Sequence, residues 1–225
     1  MKATARVVAA PGDRLAVLES CPPVALRATP SGVFVVGGAY SPLGGDEVAL
    51  SIVVEPGASL VVRSAAAAVA LPGPSGAPSA VRVTASVGAG GSLVWHPEPG
   101  VAAAGCEHHN DAVVSLEAGA SLVWREEVVV GRHGEAGGRW TSSLSVDLDA
   151  QPLLRHRVEL GAGTDWASPA VGGGARCHGS VLIVGDDRHD VRSDARRAVM
   201  PLAGPAVLTV ATAPDAVALG LLLHI

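Results

Sequence analysis

Aromatic side chains are scarce in this chain: one Phe, one Tyr and four Trp make up 3% of 225 residues. Its core must therefore be built from Val, Leu and Ala. Cysteine is also rare. Cys21, Cys106 and Cys177 are an odd number without Cys-x-x-Cys spacing, which argues against a disulfide framework and for a reducing compartment. Charge of one sign is nowhere massed. The net charge is −5, and the nearest basic patch, Arg192, Arg196 and Arg197, is interrupted by Asp190 and Asp194. Nucleic acid and acidic membranes are thus not the expected partners. Long apolar runs are missing too. Val7 to Ala10 stops at Pro11-Gly12-Asp13, too short for a signal-peptide core. Ala216 to Leu223 falls below the roughly 18 residues of a membrane span. The expectation is a soluble, cytoplasmic protein.

What the chain does have is apolar and turn-rich. It is 48% hydrophobic and 16% charged, a globular composition. The 28 Gly and 16 Pro suit many short strands joined by tight turns. The predicted class is all-β, as one domain over residues 1–225. Helix signals are confined to the last quarter. Thr212-Ala213-Pro214-Asp215 can start a short helix over Ala216 to Leu223, and a second candidate runs from Ser193 to Met200, ended by Pro201.

A repeated unit organises the middle of the chain. Val54-Glu55-Pro56-Gly57-Ala58-Ser59-Leu60-Val61-Val62 returns as Val87-Gly88-Ala89-Gly90-Gly91-Ser92-Leu93-Val94-Trp95 and as Leu116-Glu117-Ala118-Gly119-Ala120-Ser121-Leu122-Val123-Trp124. The glycines at 57, 90 and 119 recur after 33 and then 29 residues, and a degenerate fourth copy starts at Leu148-Asp149-Ala150. Each copy reads as strand, turn, strand, with Val48, Leu50, Ile52 and Val54 on one face at period two. A hairpin-like unit cannot bury its apolar face alone, so stacking into a layered or helicoid β assembly is expected. The uneven period argues against a strict solenoid. Trp95 and Trp124 hold equivalent places and should pack in one layer.

No Gly-x-Ser-x-Gly elbow, phosphate-binding loop or His-Glu-x-x-His motif is present, so no enzyme chemistry is indicated. Gly172-Gly173-Gly174 reads as a flexible loop and Asp186-Asp187-Arg188-His189-Asp190 as a charged, solvated turn. Cys106-Glu107-His108-His109-Asn110-Asp111 concentrates donors that suit divalent nickel or zinc. In an extended segment, however, His108 and His109 point to opposite faces. Cys177-His178 is a weaker candidate of the same kind. Two acid pairs carry another signal: Asp46-Glu47 after Gly44-Gly45, and Glu126-Glu127 after Trp124-Arg125. One acid of each pair should face inward and needs a partner, Arg63, Arg125, Arg132 or Arg139, or else a wet channel to line.

Several blocks, in order, resemble the urease accessory protein D family (UreD, also UreH). These are Gly44-Gly45-Asp46 followed by Val48 to Val54 and Glu55-Pro56-Gly57-Ala58; Leu93-Val94-Trp95-His96-Pro97-Glu98-Pro99; and Trp124-Arg125-Glu126 with Gly131-Arg132-His133-Gly134-Glu135. Pro152 to Leu160 and His178 to Ile183 match later family strands. Ser64-Ala65-Ala66-Ala67-Ala68 replaces the family's Thr-Lys-x-Tyr-Arg-Ser segment, and the stretch at Ser41-Pro42-Leu43 is short, as in a compact branch. The resemblance implies a non-enzymatic β scaffold that bridges apo-urease to a UreF-type helical protein and, through it, to a UreG-type GTPase. It also implies a polar path for transient nickel and no permanently bound cofactor. Carried over by motif, Asp46 and Glu135 are the leading path candidates, Glu126 follows, and Arg132 is a structural partner for an acid. The competing readings are a cupin-like metal-binding β-barrel enzyme, which His108-His109 with Glu117 and Gly119 loosely resembles, and a β-structural protein without a metal role. The mean hydropathy of +0.38 suits a chain with surface reserved for a partner.

Overall fold

A computed structural model describes residues 1–37, 42–185 and 193–224. The charged turn expected at 186–190, together with Arg192 and Ser41, lies outside the described residues. The chain opens with β1 (Lys2–Ala10), β2 (Arg14–Ser20), β3 (Val24–Thr29), β4 (Gly32–Gly37), β5 (Glu47–Val54) and β6 (Ser59–Ser64). It continues through β7 (Ala68–Ala70), β8 (Ser79–Val87), β9 (Ser92–His96), β10 (Gly100–Ala102), β11 (Glu107–Leu116) and β12 (Ser121–Val130). Last come β13 (Arg139–Leu148), β14 (Gln151–Gly161), a 3₁₀ turn at Asp165–Ala167, β15 (Cys177–Val184), β16 (Arg197–Pro201), β17 (Ala206–Ala213) and helix α1 (Ala216–Leu222). The all-β expectation holds.

The strands form two sheets. One has the order β14-β13-β11-β8-β5-β1-β2; the other runs β16-β17-β15-β12-β9-β6-β4-β3, with β10 and β7 attached beside β12. The repeated unit does not fold as a hairpin. Its first strand (β5, β8, β11) lies in the first sheet and its second (β6, β9, β12) in the other, so each Gly turn is a corner between sheets. Successive copies then pair in parallel: Val54 beside Val87 and Leu60 beside Leu93 beside Leu122. This is solenoid-like winding. The uneven period comes from the return connections, which shorten from 65–78 to 97–106 to 131–138 while the stacked strands stay in register.

The corners repeat one geometry. Ala58 N–H donates to the Glu55 carbonyl (2.9 Å) and Ala120 N–H to that of Glu117 (3.0 Å), with Gly57 and Gly119 at φ +70° and +72°. Pro followed by a positive-φ Gly is the signature of a type II turn. Each corner also bonds its neighbour, Ser92 N–H to the Ala58 carbonyl and Ser121 N–H to that of Gly91, both at 2.9 Å. Between the sheets lie Ile52, Val54, Leu60, Leu93, Val114, Leu122 and Trp124, an aliphatic core with few rings. Trp95 stacks on Trp124 with centroids 5.0 Å apart, in the shared layer the repeat implied.

The winding ends at the fourth copy. Leu148 still pairs with Leu116, but Asp149 and Ala150 both take positive φ (49° and 59°) and reverse the chain into β14 within the same sheet. In the other sheet β15 runs antiparallel to β12. The C-terminal helix forms where expected. Asp215 is its N-cap, accepting from Ala218 N–H at 2.8 Å. The helix expected at 193–200 is not formed: residues 197–201 are edge strand β16. Asp194 Oδ1 accepts from the backbone N–H of Arg196 and Arg197, and pairing with β17 fixes the rest. Tertiary pairing overrides local propensity there. Among the described residues no helix is long and apolar enough to cross a membrane.

Candidate functional site

Alternation along β12 puts Leu122, Trp124, Glu126 and Val128 between the sheets. Glu126 therefore faces inward, as one acid of its pair had to. Its carboxylate accepts from Ser142 Oγ (2.6 Å), Trp124 Nε1 (3.0 Å) and Asn110 Nδ2 (3.3 Å). Among the described residues no cation pairs with it. Burial pushes its pKa up, against the Ser142 and Trp124 hydrogen bonds. Beside it is a partly enclosed space of about 10 Å³, enough for about one water. Its polar lining is Glu126, Ser142, His156, His178 and Ser180, from β12, β13, β14 and β15. Among the described residues neither imidazole has a hydrogen-bond partner. Burial lowers both pKa values, that of His178 to about 4. Trp166, on the 3₁₀ turn, meets the His178 ring edge-on at 6.2 Å.

Glu127 points the other way, under α1, and is enclosed as well. Arg125 Nε donates to it at 2.5 Å, and Arg125 Nη1 reaches the Leu223 carbonyl at 3.2 Å. Asp46 and Glu135 lie elsewhere. Asp46 is buried in its turn, where Oδ2 accepts from Leu43 N–H (3.0 Å) and Oδ1 from the Met1 ammonium (2.8 Å). Glu47 is outside it and pairs with Lys2 at 3.1 Å. Glu135 closes the 131–135 loop at the surface. Arg132 Nε and Nη2 grip its two oxygens at 2.9 Å each, and Oε1 also accepts from Arg132 and Ala104 N–H. These bonds hold its pKa at about 2. Gly131 and Gly134 take positive φ in this loop (84° and 75°). Arg176 secures it from behind, its Nη2 donating to the carbonyls of Gly131 and Arg132 at 3.2 and 2.8 Å.

The Cys/His cluster is dispersed by strand alternation. His108 is buried, with Nδ1 against Ser79 Oγ at 2.8 Å and its ring 4.2 Å from that of Trp140; burial lowers its pKa to about 4. His109 is on the outer face, 3.7 Å from Glu107. Cys106 packs near Trp140 and Cys177 beneath α1, and burial raises both thiols to about 11. Among the described residues no three His, Cys, Asp or Glu side chains converge to hold a metal ion. The paired imidazoles a cupin needs are absent at 108–109. His156, Ser142, Ser180 and Arg176 were not singled out from sequence. His156 was within reach, because Leu154, His156, Val158 and Leu160 share one face of β14. Arg176 carries no local pattern.

A family model described as "UreD urease accessory protein" matches residues 14–223. "Urease accessory protein UreD" of Parafrankia sp. (strain EAN1pec) is 41% identical over 83% of this chain and 71% of its own length. "Urease accessory protein UreD 3" of Streptomyces griseus is 41% identical over 96% of this chain and 91% of its own. The Streptomyces avermitilis protein of the same family name is 40% identical over 97% and 93%. The chain belongs to the UreD urease accessory protein family, whose role is in urease maturation.

Proposed function

We propose that this chain is a cytoplasmic, non-catalytic scaffold of urease maturation. In this reading it binds apo-urease, bridges it to a UreF-type helical protein and a UreG-type GTPase, and gives nickel a polar passage through its interior. The observation that carries the passage is Glu126: an enclosed carboxylate served only by neutral donors, beside a cavity lined by two imidazoles. An acid kept between two apolar sheets without a cation costs stability, so its retention fits a role other than folding. Carboxylate oxygen and imidazole nitrogen are donors that nickel accepts. The sparse donor set suits passage of cargo rather than a resident ion. Asp46 and Glu135 are each committed to closing a turn, so the internal station is assigned to Glu126, with His156 and His178 beside it.

The test is Glu126→Gln, co-expressed with urease and its accessory proteins, with nickel per urease measured after purification. Gln keeps the shape of the site, with Oε1 able to accept from Trp124 and Asn110 and Nε2 able to donate to Ser142 Oγ, but removes its negative charge. Nickel content should fall severalfold, while the variant resists unfolding at pH 7.5 at least as well as the parent chain. The sign follows from burial: a carboxyl whose pKa is raised by folding costs stability while ionised, and Gln removes that cost. Wild-type nickel content in urease matured by a folded Gln variant would sink the passage. Co-purification with apo-urease would still measure the scaffold role separately.

A further inference from the structure

Glu126 follows Trp124 on the inward face of β12, because side chains two apart on a strand share a face. The Trp124 indole is 1% exposed and stacks on Trp95 with 18° between the rings, so its N–H has a fixed direction. An indole N–H can only donate. Here it is spent on Glu126 Oε1, at 3.0 Å. Trp95 holds the matching place in the preceding copy, but Pro97 follows it and offers no acid to serve.

The donors divide unequally between the two carboxylate oxygens. Oε1 accepts twice, from Trp124 and from Asn110 Nδ2 at 3.3 Å, whereas Oε2 accepts once, from Ser142 Oγ at 2.6 Å. A carboxylate oxygen offers about two lone pairs. Oε1 is therefore saturated, and one acceptor position stays open on Oε2. Ser142, the partner of Oε2, lines the cavity together with His156 and His178. A cation arriving there meets one oxygen and not a chelating pair. Carboxylates can grip an ion through one oxygen or through two. Conduction needs contacts weak enough to release what they bind, which favours the single oxygen.

We infer that Trp124 is a positioning residue of the nickel passage: its N–H, steadied by the Trp95 stack, occupies Glu126 Oε1 and restricts the carboxylate to single-oxygen contact with the ion. This rests on the passage proposed above and accounts for a station that releases its cargo. Asn110 fills the second position on the same oxygen over a longer bond. The aromatic layer of the repeat thus does more than fill the core. It sets how the next inward side chain can bind.

The experiment titrates Ni²⁺ alone into the purified full chain and reads the dissociation constant by calorimetry, with a melting curve for every variant. Trp124→Phe keeps a stacking ring and removes the N–H; a water in the vacated place can exchange with the ion, which an indole cannot. Trp124→Phe should bind Ni²⁺ about tenfold more tightly than the parent chain, the scale on which groups around a metal ligand act. Trp95→Phe, which leaves the Trp124 N–H in place, should bind as the parent does. Adding Glu126→Gln to Trp124→Phe should abolish the gain. A merely structural role for Trp124 gives unchanged or weaker binding instead. Where Trp124→Phe does not fold, Asn110→Ala opens the other position on Oε1 and should tighten binding severalfold. Folded variants that bind no tighter than the parent, with binding still lost in Glu126→Gln, overturn the restriction and leave the passage standing. Ni²⁺ binding indifferent to Glu126→Gln in every background overturns both.

Discussion

Acidification from pH 7 to pH 5 should destabilise this protein more than its surface charges suggest, because His108 and His178 are buried as neutral rings. Folding lowers each pKa from 6.5 to about 4. The sign follows from linkage. Below pH 6.5 the unfolded chain takes up protons that the folded chain refuses, so stability is full above that pH and is lost as pH falls toward 4. Over pH 7 to 5 each ring costs about 2 kcal/mol, and the pair about 4 kcal/mol. His96 and His156 are shifted in the same direction and add to the loss, whereas Glu126, shifted upward, opposes it. With a urea m-value of about 3 kcal/mol/M, the pair alone lowers the unfolding midpoint by roughly 1.3 M. Urea titrations followed by Trp fluorescence at half-unit pH steps read this directly. His108→Asn and His178→Asn should each remove about half of the slope. A midpoint that is flat between pH 7 and 5, or a slope unmoved by either buried substitution, would refute the reasoning.

Two further outcomes follow from local geometry. Ala150→Gly should stabilise the chain by about 1 kcal/mol in the same titration, because Ala150 sits at φ 59° in the β13–β14 reversal and only Gly takes that conformation without cost; a neutral or destabilising result would contradict the left-handed turn. Arg176→Ala should cost about 2 kcal/mol through loss of charge-assisted bonds to the 131–132 carbonyls. It should also speed amide exchange in residues 131–135, and unchanged exchange there would show that the Arg132–Glu135 pair holds the loop unaided.

Much of the architecture was legible because it follows from short-range rules. Gly at 57, 90 and 119 marked the corners, and period-two alternation marked the buried faces. Asp215 ahead of an apolar run marked the helix. The corners' role as sheet crossings was not legible, since a positive-φ Gly turn can reverse a chain within one sheet or pass it to another. The strand at 197–201 was missed for a related reason: its conformation is set by pairing with β17, distant from any local signal. In the site, Glu126 was visible as an acid inside an alternating strand. Which of the candidate acids lies between the sheets was not. Asp46 takes its partners from Leu43 and Met1 and Glu135 from Arg132 and Ala104, and these contacts depend on how loops close.

The cavity lies where the repeat stops being regular, and the register explains why. Trp124 pairs with Trp95, and two residues further on Glu126 falls level with Pro97, already beyond the end of β9. In the earlier rungs the equivalent level falls at Ser64, the last residue of β6, and at Pro97, beyond the end of β9. β12 runs on to Val130 and carries the inward column past the stacked tryptophans without a break, beside the short strands β10 and β7. On the facing sheet the same level is reached by β13 and by β14, which exists because Asp149 and Ala150 turn the chain back. That reversal brings His156 in, and antiparallel β15 brings His178 and Ser180. Glu126 thus comes from a strand that outruns its neighbour, His156, His178 and Ser180 come from strands that depart from the parallel winding, and Ser142 comes from β13, which stays parallel to β11. The repeated rungs provide a dry aliphatic support, and their interruption creates the wet end. A chain selected only to stack apolar rungs would fill that end with Leu and Val, as β5, β6, β8 and β9 do. Departure from the locally favoured pattern at the expense of stability is what a functional site is expected to look like.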